Sequence, residues 1–378
     1  MRDVAEQFSA LMSSIEPIGR TGSGGYRRFA WTHEDRELRE WFDAEAAARG
    51  AEVVPDRAGN LWAWWGDPDA EPGVVLGSHL DSVPEGGAFD GPLGIVSSLL
   101  AVSAAGTVTK PVAVALFADE EGARFGTACA GSRLLTGALD PARALGLKDA
   151  DGITMAEARE DVPATDPEAL ARIGCFVELH VEQGRALEAP VGLATEIWPH
   201  GRWRFDLAGQ ANHAGTTRLA DRDDPMLALA QLVTAARQHA GELGMLATVG
   251  KLSVSPNAVN AVPGLVQAWL DARAPSEDLL LELLARLGGD PSEESFTHAV
   301  RFDRPLATRL QDVLEGVPLL PTGAGHDAGV LQQHGIPTAM LFVRNPTGIS
   351  HASEEHAELD DCLAGVAALT TVLRELAG

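Results

Sequence analysis

The chain has 378 residues, 45% of them hydrophobic and 22% charged, which is enough for two globular domains with sizeable cores. Its formal net charge of −25 argues against a nucleic-acid-binding protein, because phosphate neutralisation needs an excess of Lys and Arg on at least one face. Three cysteines far apart in the sequence predict neither a disulfide framework nor a cysteine metal site, and no apolar run is long enough to span a membrane.

The first elements in chain order are predicted from helix caps and from the spacing of apolar residues. Residues 1–14 lack the apolar core of a secretory signal peptide, so we expect a cytoplasmic protein. A helix is predicted over residues 32–49, because Thr32 can cap its first turn and Gly50 can end it. Residues 60–65 (NLWAWW) have the aromatic and apolar composition of a strand.

Three apolar runs predict buried strands, and each leads directly into side chains that can bind a metal ion. These runs are residues 74–78 before His79, residues 112–118 before the acidic residues 119–121, and residues 175–179 before His180. A helix over residues 94–105 separates the first two. Strands that alternate with helices predict an α/β fold with a mostly parallel sheet, and such sheets bind ligands at the carboxyl ends of their strands. We therefore expect these side chains at one edge of the sheet.

The pattern changes from about residue 198. The elements predicted there are a strand at 203–207, a helix at 224–241, strands at 247–253 and 264–272, a helix at 279–287 and a strand at 298–302. This β-α-β-β-α-β order predicts a ferredoxin-like domain over residues 198–304, inserted into a domain formed by residues 1–197 and 305–378. After the insertion the chain returns to Gly-rich loops, a strand in TAMLFV and a terminal helix from Asp360.

The segment GSHLDSVPEGGAFDGPLG, residues 77–94, contains three residues of a candidate metal site. His79 and Asp81 lie two positions apart, so at an extended strand end both side chains point the same way. One can then bind a metal ion while the other accepts the second imidazole N–H from behind. Asp90 follows in a Gly-rich loop, where the backbone can bend and bring its carboxylate beside His79.

The other candidates complete a site of mixed nitrogen and oxygen ligands. Glu120 and Glu121 are adjacent at a strand end and project in different directions, so one can bind a metal ion while the other faces its bound water. With His180 and His351, three histidines and two carboxylates fit two sites that share a bridging carboxylate and suit Zn, Mn, Co or Ni. Two divalent ions would hold a hydroxide and polarise a carbonyl. Glu120 would take the proton of the water and return it to a leaving nitrogen.

These motifs resemble those of the M20 metallopeptidase clan, in its hydantoinase/carbamoylase branch. The resemblance runs nearly end to end and is carried by GSHLDSVPEGGAFDGPLG, ADEEGARFG, ELHVEQG, GQANHAGTT, PNAVNAVPG and GAGHDAG. It implies a dimetal catalytic domain in which one ion is bound by His79, Asp90 and His180, and the other by Asp90, Glu121 and His351. Glu120 would be the general base and Asp81 would lie behind His79. A histidine at position 180, where related peptidases typically have a carboxylate, favours the carbamoylase branch.

The resemblance also implies how a substrate is held. Gln183 would contact the substrate, and His213, Asn260 and Arg273 of the inserted domain match substrate-binding positions of the family. Arg273 would bind the substrate carboxylate, for which a guanidinium fork is suited. The inserted domain would act as a lid and form a homodimer, so that His213 stabilises the tetrahedral oxyanion, in trans. The expected substrate is an N-carbamoyl-L-amino acid or allantoate, whose hydrolysis releases ammonia and CO2.

Two other functions remain open at this point. A dipeptidase or aminoacylase with the same ligands would turn over N-acyl amino acids or dipeptides and leave carbamoyl compounds untouched. A non-catalytic ligand-binding homologue would be expected to lack a ligand or the base, whereas all six positions are present. Arg218 and Arg344 stand where relatives often have proline or a smaller residue, which leaves the choice of substrate open.

Overall fold

The structure is a computed structural model that describes residues 2–159 and 162–378. Its helices are α1 (Arg2–Ile15), α2 (His33–Ala48), α3 (Pro92–Ala105), α4 (Ala130–Thr136), α5 (Pro141–Leu145), α6 (Met155–Ala158), α7 (Pro167–Ala171), α8 (Pro225–Leu243), α9 (Glu277–Leu287), α10 (Arg304–Val313), α11 (Asp327–Gln333) and α12 (Leu359–Ala377). Its strands are β1 (Glu52–Pro55), β2 (Leu61–Trp65), β3 (Gly73–His79), β4 (Val112–Phe117), β5 (Ile173–Val181), β6 (Val191–Ile197), β7 (His200–Ala208), β8 (Asn212–His213), β9 (Leu246–Ser255), β10 (Ala261–Val262), β11 (Leu265–Arg273), β12 (Ser292–Thr297), β13 (Val300–Arg301), β14 (Leu319–Thr322) and β15 (Thr338–Val343).

The chain divides into two compact units. The larger unit comprises Met1–Glu196 and Arg301–Gly378, and the smaller unit comprises Ile197–Val300. Within the described ranges, no helix combines the length and the apolar character needed to cross a membrane.

The larger unit is built on a nine-stranded sheet. Its strand order is β1-β2-β4-β3-β5-β15-β6-β13, and β14 pairs with β6. The four central strands β4, β3, β5 and β15 run parallel to one another, whereas β2 pairs with β4 and β6 pairs with β15 in the antiparallel sense. The mostly parallel α/β sheet predicted from the sequence is therefore confirmed.

Burial explains why the central strands are continuous apolar runs. Every residue of β3, β4 and β15 is buried, as expected for parallel strands covered on both faces. Val74 and Leu76 of β3 pack in one core cluster with Leu100 of α3 and Leu373 of α12. Each such side chain contributes about 1.5–3 kcal/mol when removed from water, so the cluster fixes the strand ends that follow it.

The predicted N-terminal cap of α2 is confirmed. The Thr32 side chain accepts the N–H of Asp35 at 3.5 Å, and α2 follows it. Leu38, Phe42 and Ala46 are buried at a spacing of four residues, which is the apolar stripe of an amphipathic helix.

The smaller unit has a four-stranded antiparallel sheet of order β12-β7-β11-β9, with α8 after β7 and α9 after β11. This is the ferredoxin-like arrangement predicted from the element order. On β11 buried and half-buried residues alternate, and Val266, Ala268, Leu270 and Ala272 pack in the core of the unit. This alternation is the pattern of an antiparallel sheet that has one face covered by the core.

The last strand of this unit was predicted in the wrong place. The strand that pairs with β7 is Ser292–Thr297, whereas Val300–Arg301, inside the predicted segment 298–302, belongs to the nine-stranded sheet. The physical reason is that β12 is an edge strand with the polar sequence SEESFT and mostly exposed residues. The buried side chains of Val300 and Phe302 just after it gave the apolar signal.

Candidate metal centre

Three adjacent strands bring the candidate ligands to one edge of the large sheet. The central one, β3, ends at His79 and pairs in parallel with β4 on one side and β5 on the other. Glu120 follows the end of β4 by three residues, and His180 is the penultimate residue of β5. The expectation that these side chains meet at the carboxyl ends of the strands agrees with this arrangement.

The first ligand set consists of His79, Asp90 and His180. Asp90 Oδ1 lies 3.4 Å from His79 Nε2 and 3.2 Å from His180 Nε2, and both imidazole side chains are fully buried. The position of Asp90 depends on Gly91, which has φ +88°, because a Cβ there would lie 2.6 Å from the His79 ring. The Gly-rich loop therefore allows the carboxylate to approach the histidine.

Backbone carbonyls select the tautomer of both histidines. His79 Nδ1 lies 3.1 Å from the carbonyl oxygen of Asp81, and His180 Nδ1 lies 2.8 Å from that of Val181. Each Nδ1–H therefore donates to a carbonyl, which leaves the lone pair on Nε2 free to bind a metal ion. In the described part of the chain, neither buried Nε2 atom has a hydrogen-bond partner.

The residues fit a divalent ion. The candidate ligand atoms of His79, Asp90 and His180 all lie within 4.8 Å of one another. Ligand atoms bound tetrahedrally at about 2.0–2.1 Å are about 3.3 Å apart, close to the separations from Asp90. Two unpartnered imidazole nitrogens facing a buried carboxylate would otherwise cost free energy, and metal coordination satisfies all three.

The second ligand set consists of Asp90, Glu121 and His351. His351 Nε2 lies 3.4 Å from Asp90 Oδ2 and 3.4 Å from Glu121 Oε2. Asp90 thus presents one oxygen to each set, which is the arrangement that a bridging carboxylate requires. The amide of Gln183 lies against the same atoms, with Nε2 2.7 Å from Asp90 Oδ2 and 3.2 Å from His351 Nε2.

The charges of the two sets compensate one another. Burial disfavours protonation of His79, but the negative charge of Glu120 and the nearby carboxylates of Asp81 and Asp90 outweigh it and raise the His79 pKa well above its ordinary value. Burial also disfavours ionisation of Asp90, yet the neighbouring histidines hold its pKa well below the usual range. Burial and the charge of Asp90 raise the pKa of Glu121 to about 7. Divalent cations would replace the protons that these groups share.

Asp81 connects the end of β3 to the acidic loop. Its carboxylate accepts the backbone N–H of Glu120 at 3.1 Å and that of Glu121 at 3.0 Å. Its Oδ1 lies 3.4 Å from His79 Nδ1, on the side of the imidazole away from Nε2. The sequence predicted this carboxylate as the acceptor of the imidazole N–H, but the backbone carbonyl of Asp81 lies closer to Nδ1, at 3.1 Å.

Glu120 lies beside the first ligand set and is only 5% exposed. Its Oε2 is 3.8 Å from His79 Nε2, and its Oε1 is 3.8 Å from His326 Nδ1. Burial raises the Glu120 pKa well above its ordinary value; the positive charge of His79 opposes this, and the charge of Asp327 adds to it. A carboxylate with raised basicity next to a metal centre suits a general base.

Sequence reasoning missed two residues of this region. Glu355 Oε2 accepts the backbone N–H groups of Phe89 at 3.0 Å and Asp90 at 3.1 Å. His326 is buried, and its ring centroid lies 4.6 Å from that of His180. The signals were GAGHDAG for His326 and the acidic pair in HASEEH for Glu355, but neither has the spacing of a metal ligand.

His326 also belongs to a third group of possible ligand atoms, with Glu178 and His180. Both Glu178 oxygens already accept hydrogen bonds, one from the Ser78 hydroxyl and one from the N–H of Ala328, each at 3.2 Å. Burial and the positive charge of His180 hold the His326 pKa well below its usual value, so this imidazole is neutral.

The two unusual arginines have acidic partners. Arg344 is held by Asp361 through two hydrogen bonds of 2.8 and 3.2 Å, and it also donates to the Glu188 carbonyl. Its charge is therefore neutralised by a buried carboxylate. Arg218 is exposed in the smaller unit and donates to Asp221 at 2.6 Å.

The remaining predicted residues lie in the smaller unit. His213 belongs to β8, which pairs with β10, and the N–H of Ala214 donates to the Asn260 carbonyl at 3.0 Å. The N–H of Gly215 donates to His213 Nδ1 at 3.0 Å, so a neutral His213 carries its proton on Nε2. Arg273 Nε donates to Asp271 at 3.0 Å.

Comparisons with known proteins agree on one family. The sequence profile of peptidase family M20/M25/M40 matches residues 75–375. The chain is 37% identical to N-carbamoyl-L-amino acid amidohydrolase of Geobacillus stearothermophilus, over 98% of each chain. It is 30% identical to allantoate amidohydrolase of Escherichia coli K12, over 100% of this chain and 98% of that protein. A hydantoinase/carbamoylase family amidase from Burkholderia vietnamiensis superposes with a TM-score of 0.87 at 28% identity, covering 99% of this chain and 98% of the other. The chain therefore belongs to peptidase family M20/M25/M40, among relatives that include hydantoinase/carbamoylase amidases.

Proposed function

We propose that this protein is a metal-dependent amidohydrolase that cleaves a ureido C–N bond in a small carboxylate substrate. The substrate is an N-carbamoyl-L-amino acid or allantoate, and hydrolysis releases ammonia and CO2. The observation that carries the proposal is the pair of ligand sets that meet at Asp90, with the buried carboxylate of Glu120 beside them. The names of the full-length relatives support the ureido chemistry.

Two divalent ions, Zn, Mn, Co or Ni, are the proposed cofactors. His79, Asp90 and His180 would hold one ion, and Asp90, Glu121 and His351 the other. Bound ions would supply Lewis acidity to the scissile carbonyl and acidity to water. Asp81 would hold the loop of Glu120 and Glu121 in a fixed position relative to His79. Its carboxylate accepts both glutamate N–H groups and lies 3.4 Å from His79 Nδ1.

Glu120 is the proposed general base. It would accept the proton of the attacking water on its carboxylate and deliver it to the leaving nitrogen, which departs as ammonia. Its burial shields the carboxylate from bulk water, and the raised pKa makes the carboxylate a stronger base.

The smaller unit is proposed to be the inserted lid that binds the substrate. Arg273 would bind the substrate carboxylate, in exchange for its present contact with Asp271. Asn260 lies beside His213 and would form a further hydrogen bond with the substrate. Gln183 would exchange its hydrogen bond with Asp90 for one with the substrate. His213 would donate from Nε2–H to the tetrahedral oxyanion, which its tautomer favours.

A homodimer through the smaller unit is part of the proposal. In the described sheet, β9 is an edge strand paired with β11 alone, so one row of its backbone groups is open to a partner strand. Leu246 and Leu252 of β9 and Leu227 of α8 are large apolar side chains that are at least 49% exposed. An exposed edge with apolar neighbours fits a self-complementary interface. A cytoplasmic location also remains part of the proposal.

The test is a panel of assays on protein depleted of metal and reloaded with Zn, Mn, Co or Ni. Ammonia release is measured from allantoate, N-carbamoyl-L-amino acids and N-carbamoyl-β-alanine, and amine release is measured from dipeptides and N-acyl amino acids. We expect ammonia from allantoate or the carbamoyl amino acids, abolished by chelation and restored by metal. Turnover of dipeptides or N-acyl compounds alone would contradict the ureido specificity. No turnover with any substrate in metal-replete protein would contradict the enzyme itself.

A further inference from the structure

We propose that Cys129 is a positioning residue for Glu120. Its thiol donates a hydrogen bond to Glu120 Oε1 and so directs the other oxygen, Oε2, toward the ligand sets. The inference rests on the proposed function, because the orientation of this carboxylate affects turnover only if Glu120 is the general base.

The two oxygens of Glu120 have different surroundings. Oε1 lies 3.6 Å from Cys129 Sγ, within the range of a sulfur hydrogen bond, whereas Oε2 lies 3.8 Å from His79 Nε2. His326 Nδ1 also approaches Oε1, but its 3.8 Å separation is too long for a hydrogen bond. Among residues 2–159 and 162–378, the thiol is the one hydrogen-bond donor to this carboxylate. Without it, the carboxylate could rotate with no directional contact to oppose the motion.

The backbone fixes the thiol in this place. The N–H of Cys129 donates to the Glu120 carbonyl at 2.6 Å, and the N–H of Ala130 donates to that of Asp119 at 3.0 Å. Asp119 and Cys129 have φ angles of 53° and 54°, a left-handed conformation that is uncommon for residues other than glycine. Such conformations persist where the surrounding structure holds them in place. The pairing therefore keeps the thiol against the carboxylate.

The thiol is suited to donate and not to react. Cys129 is 3% exposed and forms no disulfide. Burial is the main cause that raises the pKa of the Cys129 thiol well above its ordinary value, and the negative charge of Glu120 adds to it. The sulfur therefore keeps its proton and is unreactive as a nucleophile, since thiolate is the reactive form.

The kinetic test compares two substitutions of one residue with a matched control. In Cys129→Ala, which removes the donor, we expect kcat to fall about tenfold while KM stays within about twofold, because a hydrogen bond to a charged group is lost. Cys129→Ser keeps a donor and should recover most of kcat. Cys362→Ala changes another buried cysteine, in α12, and should leave kcat unchanged. Full kcat in Cys129→Ala, or an equal loss in the serine variant, would overturn the inference.

A second test needs no turnover and no substitution of Cys129. In a Cys175→Ala, Cys362→Ala background, Cys129 is the only thiol in the sequence, and its S–H stretching band is followed by infrared spectroscopy. Glu120→Ala removes the acceptor, so we expect the band to move to higher frequency. An unmoved band would overturn the contact. If the parent protein hydrolyses no ureido substrate while the band moves, the proposed function fails and the contact stands.

Discussion

Glu355 accepts the backbone N–H of Asp90 at 3.1 Å, so a second carboxyl group holds the main chain of the residue that both ligand sets share. The same Glu355 oxygen accepts the N–H of Phe89. In Glu355→Ala, two backbone donors in a buried loop lose their acceptor, at a cost of about 1–3 kcal/mol each. We expect metal affinity to fall by about 10–100-fold, as for other residues that orient metal ligands. Metal titration of the chelated protein checks this, and unchanged affinity would show that the loop holds its shape without Glu355.

Glu120→Gln tests the base. The amide keeps the shape of the side chain but cannot accept a proton from water, so we expect turnover to fall by about 10²–10⁴-fold. Metal content should stay at the parent level, because Glu120 is outside both proposed ligand sets. Steady-state kinetics and metal analysis of the same preparation make the comparison. Retention of more than a tenth of parental kcat would remove Glu120 from the proposed role.

His180→Ala and His351→Ala should separate metal binding from stability. Each removes one proposed ligand, so each should lower metal content. The His180 side chain is fully buried, whereas that of His351 is 46% exposed. Removing the buried ring leaves a cavity, so we expect the free energy of unfolding to fall by about 2 kcal/mol more in His180→Ala, measured by denaturant titration of metal-free protein. Equal losses of stability would contradict the packing described around β5.

The metal-free protein should lose stability as pH rises. Burial raises the pKa of Glu121 and Glu355 to about 7 and of Asp327 to about 8, and a hydrogen bond with Asp90 raises that of His351 to about 9. Over this interval the folded chain holds protons that the unfolded chain has released, so the free energy of unfolding decreases with pH. We expect the melting temperature of chelated protein to fall from about pH 4.5 to about pH 9.

Glu355→Gln serves as the control for that pH dependence. It replaces one of the four titrating groups by an amide of similar shape, so the decline in melting temperature should become shallower around pH 7. Metal-loaded protein should show the opposite trend at low pH, because protons compete with the ions for their ligands. A melting temperature of the chelated protein that rises through this range would contradict the protonation of these groups.

Subunit mixing tests whether His213 acts in trans. His213→Ala and Glu120→Gln homodimers should each be inactive, but a heterodimer has one site in which both residues are present if His213 serves its partner's site. Because one of its two sites is complete, we expect each heterodimer to have up to half of the activity of a parental dimer. A mixture of Glu120→Gln with Glu121→Ala, two changes in one ligand region, is the control that should recover nothing. No recovery in proven His213 heterodimers would place His213 in its own subunit's site.

The sequence predicted those parts of the site that follow from strand ends. His79, Glu120 and His180 come at or after apolar runs, and the parallel order of β4, β3 and β5 places all three at one edge. His351 and Asp90 came from motifs, since no local pattern places two residues 261 positions apart at 3.4 Å from each other. Their roles in catalysis remain predictions.

The parts that sequence reasoning missed depend on long-range contacts or on weak apolar signals. Glu355 acts on Asp90 from a distant segment, and an acidic residue in a loop gives no sign of such a partner. Cys129 lies nine residues after Glu120, but a left-handed turn brings it back against the carboxylate. The strand predicted at 298–302 was misplaced because the true edge strand, β12, is polar and exposed. Its pairing with β7 defines it, and apolar residues do not mark it in the sequence.

The two buried histidines obtain their orientation from main-chain carbonyls, those of Asp81 and Val181. Every residue type supplies a carbonyl, so the tautomers of His79 and His180 survive substitutions at positions 81 and 181 that keep the backbone in place. The Nε2 atoms of both imidazoles can therefore continue to face Asp90 when these two side chains change. In evolutionary terms the orientation of these two imidazoles depends on the main chain at positions 81 and 181 and not on which side chains stand there.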